Sequence, residues 1–122
     1  MPIVTVEFVA GANDSMAHDI AQSLADAIGR ALMSPSGQTW VRVRFLARDQ
    51  YAENEAILDE AQLPVFVTIL KQHHPQRKEL EDEVIALTHA VAQVIGRPAT
   101  CVHVEYAPAG AGRLSFGGIL VQ

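Results

Sequence analysis

A single cysteine, Cys101, leaves this chain without a partner for an intrachain disulfide and suits a reducing compartment. With Ala99-Thr100 before it and Val102 after it, that cysteine reads as a small buried hydrophobe in a strand. Basic residues are scarce: nine Lys and Arg against fourteen Asp and Glu give a net charge of −5. That balance argues against a nucleic-acid or anionic-membrane partner held by charge. No apolar run approaches the roughly 20 residues that span a bilayer, and no basic region followed by an apolar run opens the chain as a secretory signal would. The expectation is a cytoplasmic protein. No phosphate-cradling glycine loop, no nucleophilic Ser or Cys arrangement and no tetrahedral set of His, Asp, Glu and Cys spacings is present, so neither a metal nor a cofactor is expected. What remains is a chain of 122 residues, 49% hydrophobic, enough for one domain over residues 1–122 with a real core.

The stretch around which it is organised is the first, Met1-Pro2-Ile3-Val4-Thr5-Val6-Glu7-Phe8. A small second residue such as proline lets the initiator methionine be cut away. Pro2 would then be a free secondary amine at the head of a strand. In an apolar pocket the cationic form of such an amine is disfavoured, and a base poised near working pH transfers protons efficiently. Proline after methionine is also common in proteins where it does nothing, so the rest of the chain has to support the reading.

Residues 3–9 are rich in β-branched and aromatic types and predict a strand. Gly11-Ala12-Asn13-Asp14 breaks it, with Asp14 or Ser15 placed to cap a helix. Met16, Ile20, Leu24, Ala27, Ile28, Ala31 and Leu32 recur at helical steps, predicting a helix over 15–33 that Ser34-Pro35-Ser36-Gly37 ends. Residues 39–47 predict a second strand, with Val41, Val43 and Phe45 on one face and Arg42 and Arg44 on the other. Residues 48–62 read as a linker with a helical turn.

The pattern then repeats. Residues 63–70 predict a proline-led strand, and His73-His74-Pro75 leads into a helix with Pro75 at its first position. Leu80, Val84, Leu87, Val91 and Val94 form its apolar face, Glu79, Glu81, Asp82 and Glu83 a solvated one, and Gly96 its end. Residues 100–106 predict a strand, and 113–121 a closing strand or hairpin with Gly117-Gly118 as a tight turn. Pro64 stands 62 residues after Pro2, and His103 stands 61 after Arg42. The chain therefore reads as an α+β tandem duplication, a first β-α-β unit with linker over 2–62 and a second with a closing hairpin over 63–122. Each unit pairs its strands in parallel. The expected product is one four-stranded mixed sheet with both helices on one face. Arg42, Arg44, His103 and Glu105 are left on the other face, which invites oligomerisation.

In Pro2 opening the first unit, Pro64 opening the second, the Val41-Arg42-Val43 strand and the closing Leu114-Ser115-Phe116-Gly117-Gly118, the chain resembles the tautomerase superfamily. It is similar to the fused two-unit members, related to the 4-oxalocrotonate tautomerases, macrophage migration inhibitory factor and malonate semialdehyde decarboxylase. The resemblance covers nearly the whole chain. It implies a homotrimer with one Pro2 site per chain near a subunit boundary. It also implies an isomerase acting on a small carboxylate, an α-keto or 2-hydroxy-dienoic acid. Pro2 would be the general base, and Arg42 would bind the substrate carboxylate or polarise its carbonyl. Pro64 matches by position, but its nitrogen is an amide bonded to Leu63 and has no basic lone pair.

Arg44 leaves the same strand face as Arg42, and arginine donates in two prongs to carboxylates. The further substrate-binding candidates are His74, as an anion contact, His103, Arg113 reaching a neighbour's site, and Leu114 and Phe116 of the closing segment. Three places depart from the family pattern: Ala12 and His74 stand where the small enzymes carry an arginine after the first strand, and Leu114 stands where the fused members often carry an aromatic. Glu105 is the one strand-borne acid that could activate water, and it reads better as an arginine's partner, so simple tautomerisation is expected rather than hydration. If Met1 is retained, Pro2 is an amide. The chain would then be a catalytically inactive or ferredoxin-like module for small-molecule binding or oligomerisation.

Overall fold

The computed structural model describes residues 2–11 and 18–122. Its elements follow the duplicated order: β1 (Ile3–Val9), α1 (Ile20–Ala31), β2 (Trp40–Leu46), β3 (Val65–Leu70), α2 (Arg77–Ile95) and β4 (Val102–Tyr106). A closing hairpin of β5 (Ser115–Phe116) and β6 (Ile119–Leu120) follows. The four long strands form one mixed sheet in the order β2-β1-β3-β4. Within each unit the strands are parallel neighbours, and the two units meet where β1 and β3 run antiparallel. That adjacency departs from the ferredoxin-like alternative, whose split β-α-β units place another strand between the parallel pair.

Strand alternation decides which side chains meet the helices. Val4, Val6 and Phe8 of β1 and Val65, Val67 and Ile69 of β3 are buried in one cluster with Leu24 and Ile28 of α1 and Leu87 and Val91 of α2. Both helices therefore cover one face, as the periodicity predicts. Val41, Val43 and Phe45 pack against the same cluster, so a single chain shelters that side of β2 under its helices. The open face carries Arg42 beside Thr5 and Thr68 beside Glu105 in one row, and Arg44 beside Glu7 and Phe66 beside His103 in the next. Glu105 makes no ion pair with an arginine within the chain, among the described residues.

Three local expectations change. The Asp14 or Ser15 cap and Met16 lie outside the described residues, and the described part of α1 begins at Ile20. Pro75 precedes the helix instead of opening it: Gln76 is still extended at ψ 163°, and α2 starts at Arg77. The acidic run is not uniformly solvated. Glu79, Glu81 and Asp82 are exposed, but Glu83 sits in the apolar stripe, three residues after Leu80 and four before Leu87. Its side chain keeps 14% exposure.

The 48–62 linker forms two short 3-10 turns, Arg48–Gln50 and Glu60–Gln62, tied by an Arg48–Glu60 ion pair. Tyr51 donates to Glu53 and lies against Phe66 of the open face. The bond to the Glu53 carboxylate, then burial and the negative charge, push its phenol up to about 12. Gly96 ends α2 at φ 80°, and the next residue, Arg97, joins the units. Its guanidinium donates to the carbonyls of Val9 (2.6 Å), Leu63 (3.1 Å) and Pro64 (3.3 Å) and stands 5.6 Å from the Phe8 ring centroid.

Candidate active site

Pro2 precedes β1, and its carbonyl accepts the Trp40 N–H at 3.1 Å. It is buried and shares the alternation of Val4 and Val6, so it faces the helix layer rather than the open face. There it walls a cavity of about 480 Å³ whose other sides come from Leu32 to Ser36, Gln38 and Lys71.

The wall after α1 is built by a strained turn. Met33 N–H bonds to Arg30 O and Ser34 N–H to Gly29 O, the paired bonds of a Schellman ending. Its left-handed position is held by Met33 at φ 53°, where the corresponding ending of α2 uses Gly96. A side chain in that conformation costs about 1 kcal/mol or more. Met33 is 90% exposed, so little packing offsets the strain. Met33→Gly should raise stability by about 0.5–1 kcal/mol, less the added chain entropy of glycine, read from the urea midpoint. An unchanged or lower midpoint would show that the methionine side chain holds more structure than its exposure indicates.

Lys71 supplies the cation. It follows β3 one place beyond the Ile3–Leu70 pair, on the alternation of Val67 and Ile69, which brings it to the helix side opposite Pro2. Its ammonium lies 2.7 Å from Glu83, with 22% and 14% of the two side chains exposed. Tyr106 donates its hydroxyl to the same carboxylate. Burial, and then the bond and charge of Glu83, push the Tyr106 phenol well above its ordinary range, so it stays a neutral donor. Leu32, Met33 and Lys71 also border a second cavity of about 620 Å³ that continues to His73, His74, Pro75, Glu79, Asp82, Glu83 and Ala86.

Sequence reasoning placed neither Lys71 nor Glu83 here. The signal was available: Lys71 continues the buried alternation Val67-Ile69, and Glu83 interrupts an apolar helical stripe.

Of the predicted residues, the structure brings His74 to this region. Its Nε2 is 2.8 Å from the Ala107 carbonyl, and a carbonyl only accepts, so that nitrogen donates. That tie to the backbone suits a structural role better than an anion contact. Arg42 and Arg44 project from the open face, Arg42 donating to the Thr5 hydroxyl at 3.2 Å. The sheet thus separates both arginines from Pro2 of their own chain. His103 stacks near Phe66 at the far end of β4, and Arg113 is exposed. Leu114 lies over Gly110, where an added Cβ would stand only 3.2 Å from it. Phe116 meets Trp40 edge-on at 5.1 Å. None of these last six lines the Pro2 cavity within the chain. Among the described residues no cluster of His, Cys, Asp and Glu could hold a metal ion, and no helix is long and apolar enough to cross a membrane.

No protein-family model matches the chain, and no curated protein matches it. Two parallel β-α-β units joined through an antiparallel β1–β3 seam, helices on one face, make a tautomerase-like fold. A fused 4-OT described as a symmetric trimer aligns at a TM-score of 0.76 and 14% identity, over 98% of this chain and 94% of that one. Macrophage migration inhibitory factor from Trichinella spiralis aligns at 0.69 and 16%, over 97% and 98%. FG41 malonate semialdehyde decarboxylase, inhibited by 3-bromopropiolate, aligns at 0.68 and 15%, over 94% and 88%. At such identities the likeness establishes the fold.

Proposed function

We propose that this chain is a tautomerase-superfamily isomerase acting on a small α-keto or 2-hydroxy-dienoic acid, with Pro2 as general base once Met1 is removed. One observation carries the reading: a buried Pro2 walls a cavity whose lining includes Lys71. Burial and a neighbouring cation both lower the pKa of an amine. A free Pro2 nitrogen would carry the proton of the enol hydroxyl to the adjacent carbon and finish unprotonated, as it began. Lys71 would hold the substrate carboxylate or the developing oxyanion, its position fixed by Glu83 and, through it, Tyr106.

Arg42 keeps its assigned carboxylate role only if a neighbouring subunit presents it, because in its own chain it faces away. The same holds for Arg44, His103, Arg113, Leu114 and Phe116. The proposed assembly is a homotrimer, the state of fused 4-OT structures that share this fold. The sheet supports it, since the edge strands β2 and β4 and the charged residues of the open face are available to another copy.

The test runs turnover and assembly together. Protein freed of Met1 should ketonise phenylenolpyruvate, and sedimentation equilibrium should return about three times the chain mass. Ketonisation no faster than buffer would remove the isomerase reading, and a stable active monomer would remove the shared site.

A further inference from the structure

The two edges of the sheet carry opposite charges at the same level, Arg42 on β2 and Glu105 on β4. Resting on the homotrimer reading, we infer that copies dock head to tail, the β2 edge of one against the β4 edge of the next, with Arg42 facing Glu105 across each boundary.

β2 and β4 are the outer strands, each with a ladder partner on one side only among the described residues. Such edges pair with another chain unless proline, lysine or a covering segment blocks them, and neither strand contains proline or lysine. Their apolar side chains are also less covered than those of the central strands. Val4 and Val6 of β1 and Val65 and Val67 of β3 are at most 1% exposed, whereas Val41, Val43 and Val104 are only half-buried. Trp40, at the head of β2, is 45% exposed. Covering these edges would take apolar area out of water.

Charge decides which edges meet. The register sets Arg42, Thr5, Thr68 and Glu105 in one row across all four strands. Arg42 and Glu105 stand at its two ends, three strand spacings or roughly 14 Å apart. Neither forms an ion pair among the described residues. Arg42 gives one donor to the Thr5 hydroxyl and keeps others. A ring whose axis runs along the strands turns each copy without shifting it along them, so the two ends of one row meet at the boundary. β2 runs with β1 and β4 with β3, so the edges meet antiparallel, and side chains directly opposed on such a pair interact. Two-fold pairings would match like with like: β2 on β2 gathers four arginines, and β4 on β4 brings Glu105 toward its own copy. Such juxtaposition is a repulsive element against the dimer, whereas unlike edges docking head to tail can close a ring.

Sedimentation equilibrium at low salt compares the unaltered protein with Arg42→Glu, Glu105→Arg and the double reversal Arg42→Glu/Glu105→Arg, with circular dichroism on each. Each single reversal should raise the concentration at which the trimer dissociates about tenfold or more, because like charges then face each other at every boundary. The double reversal should recover most of that loss. Folded single variants as trimeric as the unaltered protein, or a double variant no better than the singles, overturn the inference and leave the homotrimer standing. An unaltered protein that is a monomer or a two-fold dimer removes both, a result visible in the first sample alone. Where a reversal unfolds the chain, Arg42→Lys treated with a water-soluble carbodiimide decides. An amide joining position 42 to Glu105 of another copy, found by mass spectrometry in cross-linked chains, sustains the contact, and its absence overturns it.

Discussion

Pro2→Ala should lower kcat/KM for phenylenolpyruvate by about 10²–10⁴-fold, the usual contribution of one positioned general base. The side chain lost is small and the Pro2 carbonyl bond to Trp40 is a backbone one, so the fold should survive. An alanine there still ends in a primary amine, which accounts for the lower bound. Protein that keeps Met1 provides the sharper comparison, because its proline nitrogen is an amide and its activity should fall to that of buffer. Equal rates for Pro2→Ala, Met1-bearing and Met1-free protein would take Pro2 out of the reaction.

The largest loss of stability is expected at Arg97. Its guanidinium satisfies three carbonyls, of Val9, Leu63 and Pro64. The first belongs to the first unit and the other two to the second. Hydrogen bonds to a charged group contribute about 1.5–3 kcal/mol each at most, and removing the donor takes a partner from the Val9 and Leu63 carbonyls, while the Pro64 carbonyl keeps the Val9 N–H. Arg97→Met keeps the length and the contact with Phe8 but removes every donor, and should cost about 3 kcal/mol, or roughly 10 °C in Tm. Arg97→Lys should recover part of that, since an ammonium can still donate but not as a planar fork. A melting temperature unchanged in Arg97→Met would mean that the seam is held by the strands alone.

Element types and their order were legible because each strand and helix carries its own period, and Val4-Val6-Phe8 and Leu24-Ile28 point to the core without any tertiary knowledge. The assignment of Pro2 to the helix side was latent in the same alternation. The separation of Arg42 from Pro2 follows from the alternations of the two strands, and the register that sets Thr5 beside Arg42 agrees with it. Lys71 and Glu83 were hidden. A lysine at a strand end and a glutamate within an acidic run both look solvated until the packing of α2 on β3 brings them to 2.7 Å. The left-handed Met33 carries no sequence mark at all, since glycine is what that turn ordinarily demands.

The antiparallel seam between β1 and β3 gives a near-symmetric sequence two unequal ends. Pro2 and Pro64 head neighbouring strands that run in opposite directions, so they sit at opposite ends of the two central strands. A chain has only one N-terminus, and Pro64 can never shed Leu63. The end at Pro64 is thereby released from chemistry and can serve as a buckle: Leu63 and Pro64 are buried, and Arg97 fastens their carbonyls to the first unit. The end at Pro2 keeps the opening, the strained turn and Lys71. If Pro2 is the base proposed above, holding and reacting fall at opposite ends of the fold, and substitutions at the two prolines should be felt in different assays.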